Sequence, residues 1–327
     1  MTPPISQLVA SLPKQQHITV SHEPDYYGAA WVAATMCGRS SPTPYAPKSW
    51  LHGWIYKPLE YVREILFWGD ENDIHLVHTT EQEEFLRCRG YRYTYAVGAP
   101  FLYVPPSGAP RLPNSILVMP PHCTKTTHQT FDESAYLDAL SGILQDFEHV
   151  LFCIHPEDAE SGSWIHNLSC NGYPFVVGAG VDDKAALYKM RHLFDSFDVV
   201  TSPNLGSHIP YAGYCGCRVS VFGPKLALEL ESYRKDPWSA ANWEVVEKSV
   251  AWQKSDKGKE LYALTFNPPG RSIRVKKWAE EILGKSNRKN SHQLSTYFGW
   301  SFWGRVRDFT TKKQYAQAIW PIKQPNR

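Results

Sequence analysis

Residues 150–224 contain VLFCIHPED (150–158), PFVVGAG (174–180) and DVVTSPNLGSHIPYAGYCGCRVSVFGP (198–224). Their short apolar runs are rich in Val, Ile and Phe, and helical stretches separate them. Strands buried on both faces read this way, so the pattern predicts a parallel sheet covered by helices and the α/β fold class. His-Pro, Thr-Ser and Gly-Ser-His fall where strands end. In an open α/β sheet the carboxyl ends of the strands are where ligands bind.

The same alternation extends outward from this stretch. Residues 115–119, 150–154, 175–177, 198–201 and 218–222 read as strands. Residues 133–147, 162–170, 183–197, 207–215 and 225–233 read as helices. In the first third, 17–21, 74–78 and 93–97 read as strands, 28–38 and 80–90 as helices, and 59–68 has helical spacing. Thr79 or Thr80 caps the helix at 80, acids fill its first turn and Gly90 ends it. The segment VPPSGAPRLP (104–113) holds four prolines and a glycine, which suit neither a helix nor a central strand. A domain boundary is therefore expected there, giving an acceptor-side domain (1–108), a nucleotide-binding domain (109–238) and a helical extension (239–327) that packs back across both. Within the extension, 273–283 reads as a basic amphipathic helix.

The chain has 327 residues, too many for one small domain. It is 43% hydrophobic and 20% charged, ordinary values for a globular protein, with a formal net charge of +2. That charge gives no reason to invoke nucleic acid, and no nucleic-acid partner is expected. The seven cysteines have scattered spacings; Cys215-Gly-Cys217 is too close for half a zinc knuckle, so reduced thiols are expected. The N-terminus lacks a basic start followed by an apolar core, and no uncharged apolar run is long enough to span a bilayer. A cytoplasmic protein follows as the expectation.

Several residues carry candidate chemistry. His155-Pro156 leaves a strand directly, and the proline fixes the exit so that the imidazole sits at the sheet edge. Thr201-Ser202 ends another strand, and Gly206-Ser207-His208 opens a helix, whose free N–H groups and dipole favour an anion. His122 and Lys125 follow the strand at 115–119 and would reach a diphosphate. In the first domain, Trp50-Leu51-His52-Gly53 presents a histidine with a mobile backbone beside it, a candidate general base. Asp70 and Glu71, in an acidic loop before a strand, are alternative bases. His22-Glu23-Pro24-Asp25 also approaches the cleft. No glycine-rich phosphate loop, nucleophile elbow or His-x-x-x-His pair occurs, and Asp-x-Asp before a strand end is absent. Neither a metal nor a cofactor is expected.

Taken together, WLHG with Lys57, the LVHTTEQEEFLRCRGYRYTYAVGAPFLYV segment, SILVMPP, CIHP and TSPNLGSHIPYA resemble the GT-B superfamily of bacterial surface-polymer transferases. The similarity is to the branch with CDP-glycerol glycerophosphotransferases, polysialyltransferases and Kdo transferases. It covers residues 50–224, with Leu51 inserted in the Trp-His-Gly motif and Thr201-Ser202 in place of paired serines. The resemblance implies two Rossmann-like domains facing a cleft. It implies an inverting glycosyltransferase acting on a cell-surface polysaccharide or lipid-linked glycan, with His52 as base and with His155, Ser202 and Ser207 on the donor phosphates; the absent Asp-x-Asp favours a metal-independent mechanism. A polyol-phosphate transferase, or a nucleotide-sugar-binding protein without activity, are the alternatives. Basic residues of 271–313 interleaved with Trp278, Trp300, Phe302 and Trp303 suit an anionic membrane surface, which would place the protein peripherally on the inner face of the cytoplasmic membrane.

Overall fold

Helix α1 (Pro3–Ser11) begins with proline at its first turn, where no N–H is missed, and buries Ile5 and Leu8 one turn apart. The structure, a computed structural model, describes residues 2–121, 132–224, 233–234, 236–304 and 306. After α1 the chain makes a 3-10 turn over Glu23–Gly28 and enters α2 (Ala29–Met36). The small side chains Ala29, Ala30, Ala33 and Ala34 are buried in α2, so its backbone can approach its neighbours closely.

Strands β1 (Pro47–Trp50), β2 (Ile74–Val77) and β3 (Thr94–Ala96) form a parallel sheet in that order, with Trp50 opposite Leu76 and Leu76 opposite Tyr95. All four β2 residues are buried, as a strand covered on both faces requires. Between β2 and β3 lies α3 (Thr80–Arg87). Thr79 accepts from Gln82 N, and Gln82 Oε1 accepts from Thr79 N at 3.2 Å, a reciprocal cap that fixes where the helix starts.

The second sheet contains β4 (Leu112–Val118), β5 (His149–Ile154), β6 (Phe175–Val177), β7 (Phe197–Ser202), β8 (Arg218–Val221) and β9 (Ile273–Arg274). Its order is β6-β5-β4-β7-β8-β9; β4 to β8 run parallel and β9 is antiparallel. Counted from β4, the parallel strands lie in the order 3-2-1-4-5, compatible with a Rossmann-like fold whose direction of winding reverses between β4 and β7. The helices around it are α4 (Glu133–Leu144), α5 (Pro156–Ser161), α6 (Ile165–Cys170), α7 (Ala186–Ser196) and α8 (His208–Tyr214). Alternation along β4 divides the core. Ile116 and Val118 join Tyr136 and Leu140 of α4 on one face, and Leu117 points to the other.

That other face belongs to one hydrophobic cluster which also holds Trp50 and Leu76 of the first sheet. Residues 104–111, between the sheets, form no helix or strand. Helices α9 (Pro237–Ala241), α10 (Trp243–Lys254) and α11 (Asp256–Thr265) precede β9; α12 (Lys276–Ile282) and α13 (Ser291–Tyr297) follow it. Helix α12 packs on α8, where Gly213 leaves room for Val275 and Ala279. The chain then returns to the first sheet: Leu283 O accepts from Ala99 N at 2.9 Å, and Phe298 packs edge-on against Trp50.

Several local expectations change. Residues 17–21 make only an isolated bridge, His17 with Asp183, because Ile18 N donates to Asp182 O instead of joining a sheet. Helical spacing in 59–68 gives a single 3-10 turn, Val62–Glu64. The expected helix at 273–283 starts late, since Ile273 and Arg274 pair with Val219 and Arg218. Arg218 and Arg274 share the Asp198 carboxylate, which offsets their mutual repulsion. The expected helix 162–170 begins only at Ile165, after Gly162 and Trp164 at positive φ, and the equally short α5 lies before it. Residues 225–232, expected to be helical, lie outside the described residues.

Candidate functional site

β1 ends at Trp50, and the next residues carry His52 out of the first sheet toward α8. His52 Nδ1 lies 2.8 Å from Glu23 Oε1. Glu23 is fully buried, while the His52 side chain is 27% exposed. The carboxylate draws the ring proton to Nδ1. That leaves Nε2 as the basic nitrogen, and no described residue hydrogen-bonds it. Glu23 Oε2 has no hydrogen-bond partner among the described residues.

Aromatic rings hold the imidazole. Tyr26 packs edge-on at 5.0 Å, Tyr27 lies tilted at 5.8 Å and Phe67 at 6.0 Å. Tyr27 takes φ 56°, an unfavourable conformation for a bulky residue, and such strain persists only where neighbours impose it. The neighbour is the loop after β6: Tyr27 N donates to Val181 O at 2.8 Å. The next residue, Gly28, sits at φ +74°, and a Cβ there would lie 2.2 Å from Lys184 O. Glycine is thus required for the Glu23–Gly28 turn to dock on the second sheet's loop. Burial, with the Glu157 carboxylate adding to it, pushes the Tyr27 phenol up, so it stays a neutral donor.

The His52 segment is anchored to α8. Tyr211 donates its hydroxyl to His52 O at 2.8 Å, and Ser207 Oγ accepts from Trp54 N at 2.8 Å. Each such bond contributes about 1 kcal/mol. Trp54 also packs edge-on against Trp278 of α12. So the imidazole of the first sheet stands beside the carboxyl ends of the second sheet's strands, held from both sides.

The other expected residues divide. His155 caps α5: its Nδ1 accepts from Glu157 N at 3.3 Å, which places the ring proton on Nε2. Pro156 occupies the first turn of that helix. Ser202 is buried and its Oγ accepts from Asn204 N at 3.4 Å. Gly206 and His208 flank Ser207, and a Cβ on Gly206 would meet the His208 ring at 2.9 Å. Thr201 is fully buried and gives its hydroxyl to Ser220 at 3.1 Å, because side chains alternate along β7 and this one points into the sheet packing. Asp70 and Glu71 lie on an exposed turn apart from the His52–Glu23 pair, and Asp70 Oδ1 accepts from Asn72 N at 2.8 Å. Lys57 forms a buried ion pair with Glu64. His122 and Lys125 lie outside the described residues.

Within 271–304, Trp300 is buried and donates to Pro42 O and Pro44 O, and Trp278 packs on Trp54, while Phe302 and Trp303 are exposed. Residues 305 and 307–313 lie outside the described residues. Among the described residues no helix is long and apolar enough to cross a membrane, and no three His, Cys, Asp or Glu side chains are grouped to hold a metal.

Glu23, Tyr26 and Tyr27 are the site residues that the motifs did not single out individually. The acidic pair in His22-Glu23-Pro24-Asp25 was their only signal. No protein-family model matches the chain, and no curated protein matches it in sequence.

Proposed function

We propose that the chain is a GT-B-type glycosyltransferase that moves a sugar from a nucleotide-activated donor to a glycan or lipid-linked acceptor. The observation that carries this reading is the His52–Glu23 pair, a partly exposed imidazole backed by a fully buried carboxylate beside the Rossmann-like sheet. The arrangement suits general base catalysis, with the carboxylate fixing the tautomer and balancing the imidazolium that forms. Two sheets dominated by parallel strands, with a C-terminal segment returning to the first, also support the GT-B arrangement.

In this reading the donor lies over the reversal between β4 and β7. His52 Nε2 takes the proton of the acceptor hydroxyl as its oxygen attacks the anomeric carbon. The bond from that carbon to the phosphate oxygen breaks, and its electron pair leaves with the nucleotide, inverting the centre. His155 and the Ser207 hydroxyl, which can still donate while accepting from Trp54 N, would meet the leaving phosphate. Fixed donors aimed at developing charge act without reorganising.

The test is a donor screen on the wild type and His52→Ala, reading melting temperature and label transfer from CMP-, CDP-, UDP- and GDP-sugars and CDP-glycerol. Expected is a rise in melting temperature with one nucleotide in both proteins and transfer only in the wild type. A flat response to every nucleotide overturns the reading. Label moved from CDP-glycerol alone replaces sugar transfer with polyol-phosphate transfer.

A further inference from the structure

A groove of about 610 Å³ is lined by residues that include His22, Asp25, Trp31, Tyr45, Thr19 and Ser21. Its size falls within the roughly 300–1,000 Å³ of small-ligand sites. Asp25 is buried and accepts three hydrogen bonds, from Ser21 N at 2.8 Å, His22 N at 3.3 Å and Tyr45 Oη at 2.8 Å. All three fall on Oδ2, so Oδ1 accepts from no described residue. Lys48 Nζ lies 2.9 Å from His22 Nε2. An ammonium can only donate, so Nε2 accepts and the His22 proton sits on Nδ1, a second group without a partner among the described residues. Burial first, and the Lys48 charge second, hold His22 below its usual range and keep it neutral. The groove thus offers one acceptor, on the buried Asp25, and one donor, on the half-buried His22, in a lining that also holds Trp31 and Tyr45.

Charge narrows the occupant. Lys184 Nζ lies 4.1 Å from the centre of the Trp31 ring and Lys48 stands behind His22, so a cationic ligand would be repelled. The Asp25 carboxylate disfavours an anion. Aromatic faces with a paired donor and acceptor suit a neutral, polyhydroxylated ring.

The groove is joined to His52. Trp68 packs edge-on against His22 at 5.7 Å and donates its indole N–H to Tyr26 Oη at 3.1 Å. Tyr26 in turn packs on His52 at 5.0 Å. Phe67 and Trp68 are exposed along this path.

We propose that this groove binds a distal sugar ring of an extended neutral glycan, and that Trp68 carries the chain from it toward His52. The link to His52 rests on the transferase reading above; the groove's ability to bind a glycan does not.

Calorimetric titration of the whole chain with maltotetraose, cellotetraose, chitotetraose and mannotetraose, and with the matching monosaccharides, tests it. One tetrasaccharide is expected to bind the wild type and His52→Ala equally and better than its monosaccharide. Trp31→Ala should weaken it by roughly tenfold or more. Thr19→Trp, an exposed position that fills the groove without entering the core, should do the same at unchanged melting temperature. Absence of binding by every tetrasaccharide overturns the proposal, and so does equal affinity in both groove variants. Binding without transfer from any donor would remove the transferase reading and leave the groove assignment standing.

Discussion

His52 and Glu23 are separated by 28 intervening residues, yet Nδ1 and Oε1 stand 2.8 Å apart, one ring partly open to solvent and one carboxylate wholly closed off. A buried carboxylate that reaches only one imidazole nitrogen sets the tautomer of that ring. Glu23→Gln keeps the shape but removes the charge that stabilises the imidazolium. Turnover should fall between about 100-fold and 10,000-fold with little change in nucleotide binding. Steady-state kinetics beside nucleotide titration checks this; an unchanged kcat would show that Glu23 serves packing alone.

Ser207→Ala and Tyr211→Phe each remove one bond that anchors the His52 segment to α8. Each should cost about 1 kcal/mol in chemical denaturation. If Ser207 also meets the leaving phosphate, its variant should lose turnover well beyond Tyr211→Phe. Equal losses in the two variants would confine Ser207 to anchoring.

Lys57 and Glu64 form an ion pair whose side chains are almost wholly buried. Lys57→Met strands the Glu64 carboxylate and should cost about 3–5 kcal/mol. Adding Glu64→Gln should restore part of that loss. Unfolding curves of both variants decide between this structural role and contact with a ligand, which predicts unchanged stability and lost turnover for Lys57→Met.

His78 is wholly buried, and its Nε2 lies 2.7 Å from Leu51 O. Burial brings it down to about 4, opposed by the bond to Leu51 and aided by the nearby His52. In the unfolded chain it takes a proton near its ordinary value of 6.5, so between 6.5 and 4 the unfolded state binds more protons and stability falls as pH falls. From pH 7.5 to 4.5 this residue should remove roughly 2–3 kcal/mol. Urea unfolding at both pH values should show that difference between the wild type and His78→Gln; parallel losses in the two would refute it.

The second sheet was legible because burial on both faces writes itself into composition. Runs such as VLFCI and DVVTS can be read without knowing their partners, and turn and cap residues mark their ends. The Thr79–Gln82 cap was legible for the same local reason. Residues 17–21 and 273–274 were misread because an apolar run does not say which backbone it will meet. The former pairs with residues 182–183, the latter with β8.

The sequence alone determined the alternation of strands and helices, the parallel character of β4 to β8, and His52, His155 and Ser207 as residues at strand or helix ends. Each of these depends on neighbours within a few positions. Only the tertiary structure decided that Glu23 backs His52, that Ser207 takes Trp54 N, that Thr201 points inward, and that Asp25 and His22 keep an unpaired acceptor and donor in one groove. Those facts depend on contacts between distant segments, which form only when the Glu23–Gly28 turn docks on residues 181–184 and one apolar cluster closes over both sheets.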